Sequence, residues 1–196
     1  MYEKIPAELK PLAQWGLYKL IWKPEKNKYT KIPYSALTGS KASSTAPEDW
    51  TTFGKALEGL ERYSLDGLGF FFANGYVGVD HIGADLDRWA AGNTDDNLAY
   101  EFISNLQSYT EKSVSGEGIH ILIKGDLPGS RRRKGNIEMY QSGRFFAMTG
   151  NRIGTFKNIN PKAEEGLTKL YRKYLEPKQV IQLHPQRKQS SNDLSQ

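Results

Sequence analysis

Apolar positions recur along this chain with two periods, and each period marks a kind of element. Gln14 to Trp22 is rich in aromatic and branched residues, Lys23 to Lys28 is polar, and Tyr29 to Tyr34 returns to the first pattern, which predicts a β-hairpin over residues 14–34. Pro47, with Thr45 as its cap, predicts a helix to about Tyr63. Asp66 to Ala73 reads as a strand, Asn74-Gly75 as a two-residue turn, and Tyr76 to Asp80 as the partner strand of a second hairpin. Leu98, Phe102, Ile103 and Leu106 fall at helical spacing and predict a helix over 95–107. Strands follow over 108–150, and Leu167, Leu170, Tyr171 and Tyr174 share one side of a last helix near 161–175. The fold class this predicts is α+β, a mixed, largely antiparallel sheet flanked by helices. One domain is expected over 1–176, with the Gln-, Ser-, Lys- and Pro-rich stretch 177–196 a flexible linker or tail.

Composition narrows the chemistry. The 196 residues include no cysteine, which excludes disulfides and thiolate zinc sites. No apolar run approaches the roughly 20 residues that span a membrane, and the start Met-Tyr-Glu-Lys-Ile-Pro lacks the apolar stretch of a signal peptide. A cytoplasmic location with no membrane partner is the expectation. Net charge is +5, and its densest cluster is Arg131-Arg132-Arg133-Lys134, between two predicted strands. Such a run serves either as a solvated turn or as a phosphate-contacting loop.

The richest local pattern is Ser113-Val114-Ser115-Gly116-Glu117-Gly118-Ile119-His120-Ile121-Leu122-Ile123-Lys124. A glycine turn lets backbone approach a ligand closely, and the apolar run after it holds His120 at a fixed depth. A core histidine with one hydrogen bond is the structural alternative. Ile137-Glu138-Met139-Tyr140 then puts a carboxylate in a second strand, and Gly143-Arg144-Phe145-Phe146-Ala147-Met148-Thr149-Gly150-Asn151 opens a third with an arginine. Two other chemistries find no support. Thr38-Gly39-Ser40-Lys41 lacks the spacing of a phosphate-binding ATPase loop, and His81, His120 and His184 stand too far apart for the paired histidines of a rolling-circle nuclease.

The order Ser-Gly-x-Gly-hydrophobic-His, Ile-Glu-hydrophobic-Tyr and Gly-Arg-Phe-Phe-x-x-Thr-Gly-Asn resembles the primase–polymerase domain of phage and plasmid replication proteins, in the archaeo-eukaryotic primase superfamily. The resemblance covers roughly residues 10–155. It implies DNA primase and polymerase activity, that is, template-directed nucleotidyl transfer. A catalytically weak or inactive module that binds nucleotide or single-stranded DNA is the alternative. It also implies Mg²⁺ or Mn²⁺, a single-stranded DNA template, nucleoside triphosphates, and a helicase domain or protein reached through the tail. Asp80, Glu138 and His120 become the catalytic set. Ser115, Gly116, His120, Lys124 and Arg144 become the nucleotide contacts, and Arg131, Arg132, Arg133 and Lys134 the nucleic-acid contacts.

The first family motif departs from its pattern. Relatives carry two acids at i and i+2 on the strand corresponding to residues 76–80, where both lie on one face. Here Asp80 has Gly78 before it and Ile82 after it. Asp85 and Asp87 have the right spacing, but between Gly83-Ala84 and Arg88-Trp89 they also suit the start of a helix. The candidate metal ligands are Asp80 and Glu138, with Asp85 and Asp87 as the competing pair.

Overall fold

The structure, a computed structural model, describes residues 2–82 and 98–177. The α+β class holds, and the strands divide between two sheets. One has four strands in the order β2 (Lys28–Tyr34), β1 (Trp15–Lys23), β3 (Gly67–Phe71), β9 (Phe145–Met148). The other has six, in the order β10 (Arg152–Ile153), β5 (Thr110–Lys112), β6 (Gly118–Lys124), β4 (Tyr76–Ile82), β8 (Ile137–Tyr140), β7 (Arg133–Lys134). All pairings between these strands are antiparallel. Among the described residues, no helix is long and apolar enough to cross a membrane.

The hairpin read at 14–34 forms as β1 and β2. The second expected hairpin does not. Asn74 and Gly75 do make the tight turn, both with positive φ (54° and 77°), but β3 and β4 leave it into different sheets. The reason lies in their composition. Gly67–Phe71 is buried throughout, so β3 needs a neighbour on each edge and takes β1 and β9. Gln14 ties the turn to the start of β1, donating to the Phe71 and Ala73 carbonyls and accepting from Asn74 Nδ2. Strand β4 then pairs with β6 and β8.

The first α-helix also starts later than Pro47. Pro47–Asp49 is a separate 3₁₀ turn, and α1 runs Phe53–Tyr63. Between them the chain is extended, because Thr51 exchanges two 2.8 Å backbone hydrogen bonds with Trp15 and the Trp50 ring stacks on Phe71 at 4.9 Å. Thr45 therefore caps nothing, and its hydroxyl meets Ser43 Oγ. Helices α2 (Leu98–Leu106) and α3 (Glu164–Tyr174) lie where the helical spacing put them.

Alternation along β4 divides the core. Val77 and Val79, with Ile119, Ile121, Ile123, Ile137 and Met139, face one way and bury against α2 and α3. Tyr76, Gly78 and Asp80 face the other way, where Tyr76 and Leu122 join a second core with β1, β3, β9 and α1. Gly78 is the close approach of the two sheets. A Cβ built there would stand 2.1 Å from Phe72 and 2.6 Å from Phe146, whose rings are themselves packed edge to face at 4.6 Å. Gly78→Ala should therefore lower unfolding stability by about 1–3 kcal/mol, the usual cost of overpacking. Gly54→Ala, in open space on α1, should leave stability unchanged or raise it. Urea denaturation of both variants checks the contrast, and equal stabilities would mean that the sheets do not meet at Gly78.

Candidate active site

Directly opposed residues in antiparallel strands carry their side chains on the same face. On the six-stranded sheet this rule lines up six ionisable residues. Arg152 opposes Glu111, Glu111 opposes His120, His120 opposes Asp80, Asp80 opposes Glu138, and Glu138 opposes Arg133. The row crosses all six strands on the face turned away from α2 and α3. Asp80, His120 and Glu138, from three separate sequence motifs, are consecutive in it.

His120 is fixed from two sides. Phe146 of the other sheet lies nearly flat on its ring, with centroids 4.4 Å apart and planes 22° from parallel. Nδ1 faces Glu111 Oε1 at 3.4 Å, which turns Nε2 to the opposite side of the ring. Glu111 is itself fully buried and accepts from the Thr149 and Gly150 amides, each at 2.9 Å, and from the Tyr109 hydroxyl at 2.8 Å. The Thr-Gly of the Gly-Arg-Phe-Phe-x-x-Thr-Gly-Asn segment thus holds the carboxylate that orients the histidine. Burial raises the phenol pKa values of Tyr2, Tyr18 and Tyr109, Tyr18 to about 12, and the negative charge of Glu111 pushes all three the same way.

At the other end, both oxygens of Glu138 have partners. Arg133 Nε lies 3.2 Å from Oε1, and the Tyr140 hydroxyl donates to Oε2 at 2.7 Å. Arg144 stands over the Tyr140 ring at 5.2 Å. Burial and the bond to Glu138 raise the Tyr140 phenol pKa, and Arg144 draws it back. Asp80 is half-buried and acts on Lys31 of β2, whose ammonium pKa is lowered by burial and pulled up again by the Asp80 charge.

Asp80 and Glu138 supply hard oxygen donors side by side, the kind that suits Mg²⁺ or Mn²⁺. Magnesium is commonly held by one or two carboxylates plus substrate phosphates, and the pair meets that description. An all-protein cage is another matter: among the described residues, no group of three or more His, Asp or Glu could hold a metal ion. The packing at Gly78 gives a physical reason for the short first motif, since no side chain fits there without moving Phe72 and Phe146.

The Ser-Gly turn joins β5 to β6. Ser113 Oγ accepts from the Gly118 amide at 3.2 Å and meets Ser115 Oγ at 3.2 Å, while Gly116 takes a φ of 79° that other residues rarely adopt. Ser115 is exposed at the tip. Beside the turn lies a cavity of about 790 Å³, lined by Lys112, Ser113 and Gly116, by Tyr18 and Leu20 of β1, and by Thr149 and Gly150. It adjoins the Glu111 end of the row, because Thr149 and Gly150 belong to both.

Other sequence candidates fall elsewhere. Lys124 is exposed at the far end of β6, four residues and roughly 13 Å along the strand from His120. Arg144 opens a strand of the other sheet and reaches the row through Tyr140. Arg131 and Arg132 lie in a loop whose Arg131 amide and carbonyl both bond the Tyr171 hydroxyl, and Arg133 and Lys134 form β7. Asp85 and Asp87 lie outside the described residues.

Sequence reading assigned no role to Glu111, Lys31 or Tyr140. Glu111 should be the most consequential. Glu111→Ala strands two amides, a hydroxyl and an imidazole N–H, and should cost at least about 3 kcal/mol at roughly 1–3 kcal/mol per buried unsatisfied group. Glu111→Gln, retaining part of the network, should cost less. Because the folded state favours neutral Tyr18 up to about 12 against 10.0 ordinarily, parent stability should hold below pH 10 and fall as pH rises toward 12. Tyrosine ionisation, followed by ultraviolet absorbance, should begin at lower pH in Glu111→Gln than in the parent. Coincident titrations would mean that Glu111 does not sit among these phenols.

No family model matches the chain. A DNA primase-polymerase of Nitratiruptor phage NrS-1 is 36% identical over 162 residues, covering 76% of this chain. The chain's match spans about a fifth (21%) of that protein's length. With that identity and the row of residues from its three motifs, this chain carries a domain of the primase–polymerase family.

Proposed function

We propose that the domain carries out template-directed nucleotidyl transfer, priming and extending DNA in phage or plasmid replication. The observation that carries the reading is the register of β4, which sets Asp80 between His120 and Glu138 on one face. A bound Mg²⁺ or Mn²⁺ at Asp80 and Glu138 would neutralise phosphate charge and activate the attacking hydroxyl. His120 would meet a phosphate oxygen through Nε2, with Glu111 and Phe146 holding the ring in place. The Gly116 turn, with Ser115 at its tip, would offer amides and a hydroxyl to the triphosphate, and Arg144 would add positive charge. Template backbone would lie against Arg131, Arg132, Arg133 and Lys134. Asp85 and Asp87 stay candidates for a second ion, and a helicase reached through the tail stays a candidate partner.

A second reading, binding of nucleotide or single-stranded DNA without turnover, is favoured by two observations. Gly78 leaves no room for an acid two residues before Asp80, and Glu138 already has Arg133 and Tyr140 on its two oxygens. Primer synthesis and primer extension with Mg²⁺ and with Mn²⁺ separate the readings. The first expects an active parent, with Asp80→Asn and Glu138→Gln each slower by about tenfold or more, at 1.36 kcal/mol of barrier per tenfold. A parent that binds nucleoside triphosphate but never extends a primer supports the second. Activity that survives Asp80→Asn but not Asp85→Ala or Asp87→Ala would move the metal site to that pair.

A further inference from the structure

The hairpin of β1 and β2 carries an aromatic pair that packing does not account for. Trp22 and Tyr29 oppose each other across the strands, with ring centroids 5.1 Å apart and planes at 65°. They are 45% and 61% exposed, although each ring shields the other. The hairpin is rich in lysine, with Lys19, Lys23, Lys26, Lys28 and Lys31, and Glu25 is the one acid between residues 15 and 34. Among the described residues, β2 is the edge strand of its sheet.

The pair shares a face with residues at the site. Trp22 opposes Tyr29, Leu20 opposes Lys31, and Tyr18 opposes Pro33, so Tyr18, Leu20 and Trp22 alternate onto one side of β1 with Lys31 and Tyr29 beside them. Tyr18 and Leu20 line the cavity beside the Ser-Gly turn. The ammonium of Lys31 feels the charge of Asp80. One face of the hairpin thus runs outward from the site for roughly 13 Å, from Tyr18 to Trp22, and ends in two rings, with Lys31 on the same face and the Lys23–Lys28 pair on the other. A polyanion with flat, stackable groups has the complementary chemistry. Lysines take the phosphates, and aromatic faces take bases of any sequence.

We propose that the outer end of this hairpin, Trp22 and Tyr29 with Lys31 on the same face, is a stacking platform for single-stranded DNA, holding the template strand on one side of the site. The occupant rests on the reading of the domain as a template-directed enzyme. The platform itself can be tested without turnover.

The experiment uses the full chain and an oligodeoxythymidine, with binding read by fluorescence anisotropy and by quenching of tryptophan emission. Trp22→Ala and Tyr29→Ala should each weaken binding about tenfold or more, as loss of a stacking ring does. Trp22→Phe should keep most of the affinity and lose the quenching, which assigns the signal to that indole. Lys31→Ala should flatten the log–log salt dependence by up to about one unit. Unchanged thermal melting checks that these substitutions leave the fold intact. Parent-like DNA affinity in Trp22→Ala/Tyr29→Ala overturns the platform, and so does a parent that binds no oligodeoxythymidine. Equal quenching by polyglutamate also overturns it, because a polyanion without bases would then suffice. Primer extension by the parent is scored separately, so an active enzyme with a dispensable hairpin refutes the platform and leaves the proposed function standing.

Discussion

Everything at the site depends on the register of β4 between β6 and β8. Side chains alternate along a strand, so a slip of one residue would turn Asp80 into the helix-covered core and bring Val79 to the site face. Two kinds of packing hold the register. On one face Val77 and Val79 bury among the isoleucines of β6 and β8 and the apolar stripes of α2 and α3. On the other, Gly78 admits the Phe72 and Phe146 rings, which lock β4 to the four-stranded sheet. Phe146 also stacks on His120. One aromatic contact therefore sets the depth of the histidine and the spacing of the sheets.

Legibility in the sequence followed the range of the interactions. Local patterns gave the β1–β2 hairpin, the last two helices and the strands of the Ser-Gly-x-Gly and Ile-Glu segments. His120 and Glu138 stood out because each is a lone polar group inside an apolar run. Thr45 was misread as a cap because the constraint that delays α1 comes from Trp15, far back in the chain. Asn74-Gly75 makes its turn, yet where the strands go afterwards is decided by burial of both β3 faces and by Gln14. Glu111 was invisible for the same reason. In Thr110-Glu111-Lys112 it looks like an ordinary solvent-facing charge, and its partners Thr149 and Gly150 lie 38 and 39 residues later.

On the proposed reading, the row would divide the labour of a phosphate-handling site. The Glu111 end is buried and hydrogen-bonded, and it would orient rather than react. The Asp80–Glu138 end pairs two carboxylates, with Lys31, Arg133 and Arg144 around it as positive counterweights. The glycine turn and its cavity open beside the rigid end, and the lysine-rich hairpin extends from the same cavity toward solvent. Charge, cavity and aromatic surface together describe a place where a triphosphate and a nucleic-acid strand would meet.

Paramagnetic broadening of backbone amide resonances by Mn²⁺, in the presence of a nucleoside triphosphate, tests this most directly. The account predicts selective loss of signal from residues flanking Asp80 on β4, from His120 and Glu138, and from the Gly116 turn. It also predicts recovery of those signals in Asp80→Asn. Broadening centred on the Lys124 end of β6 or on α3, or a pattern unchanged by Asp80→Asn, would contradict the central claim that the cross-strand row is the metal and phosphate site.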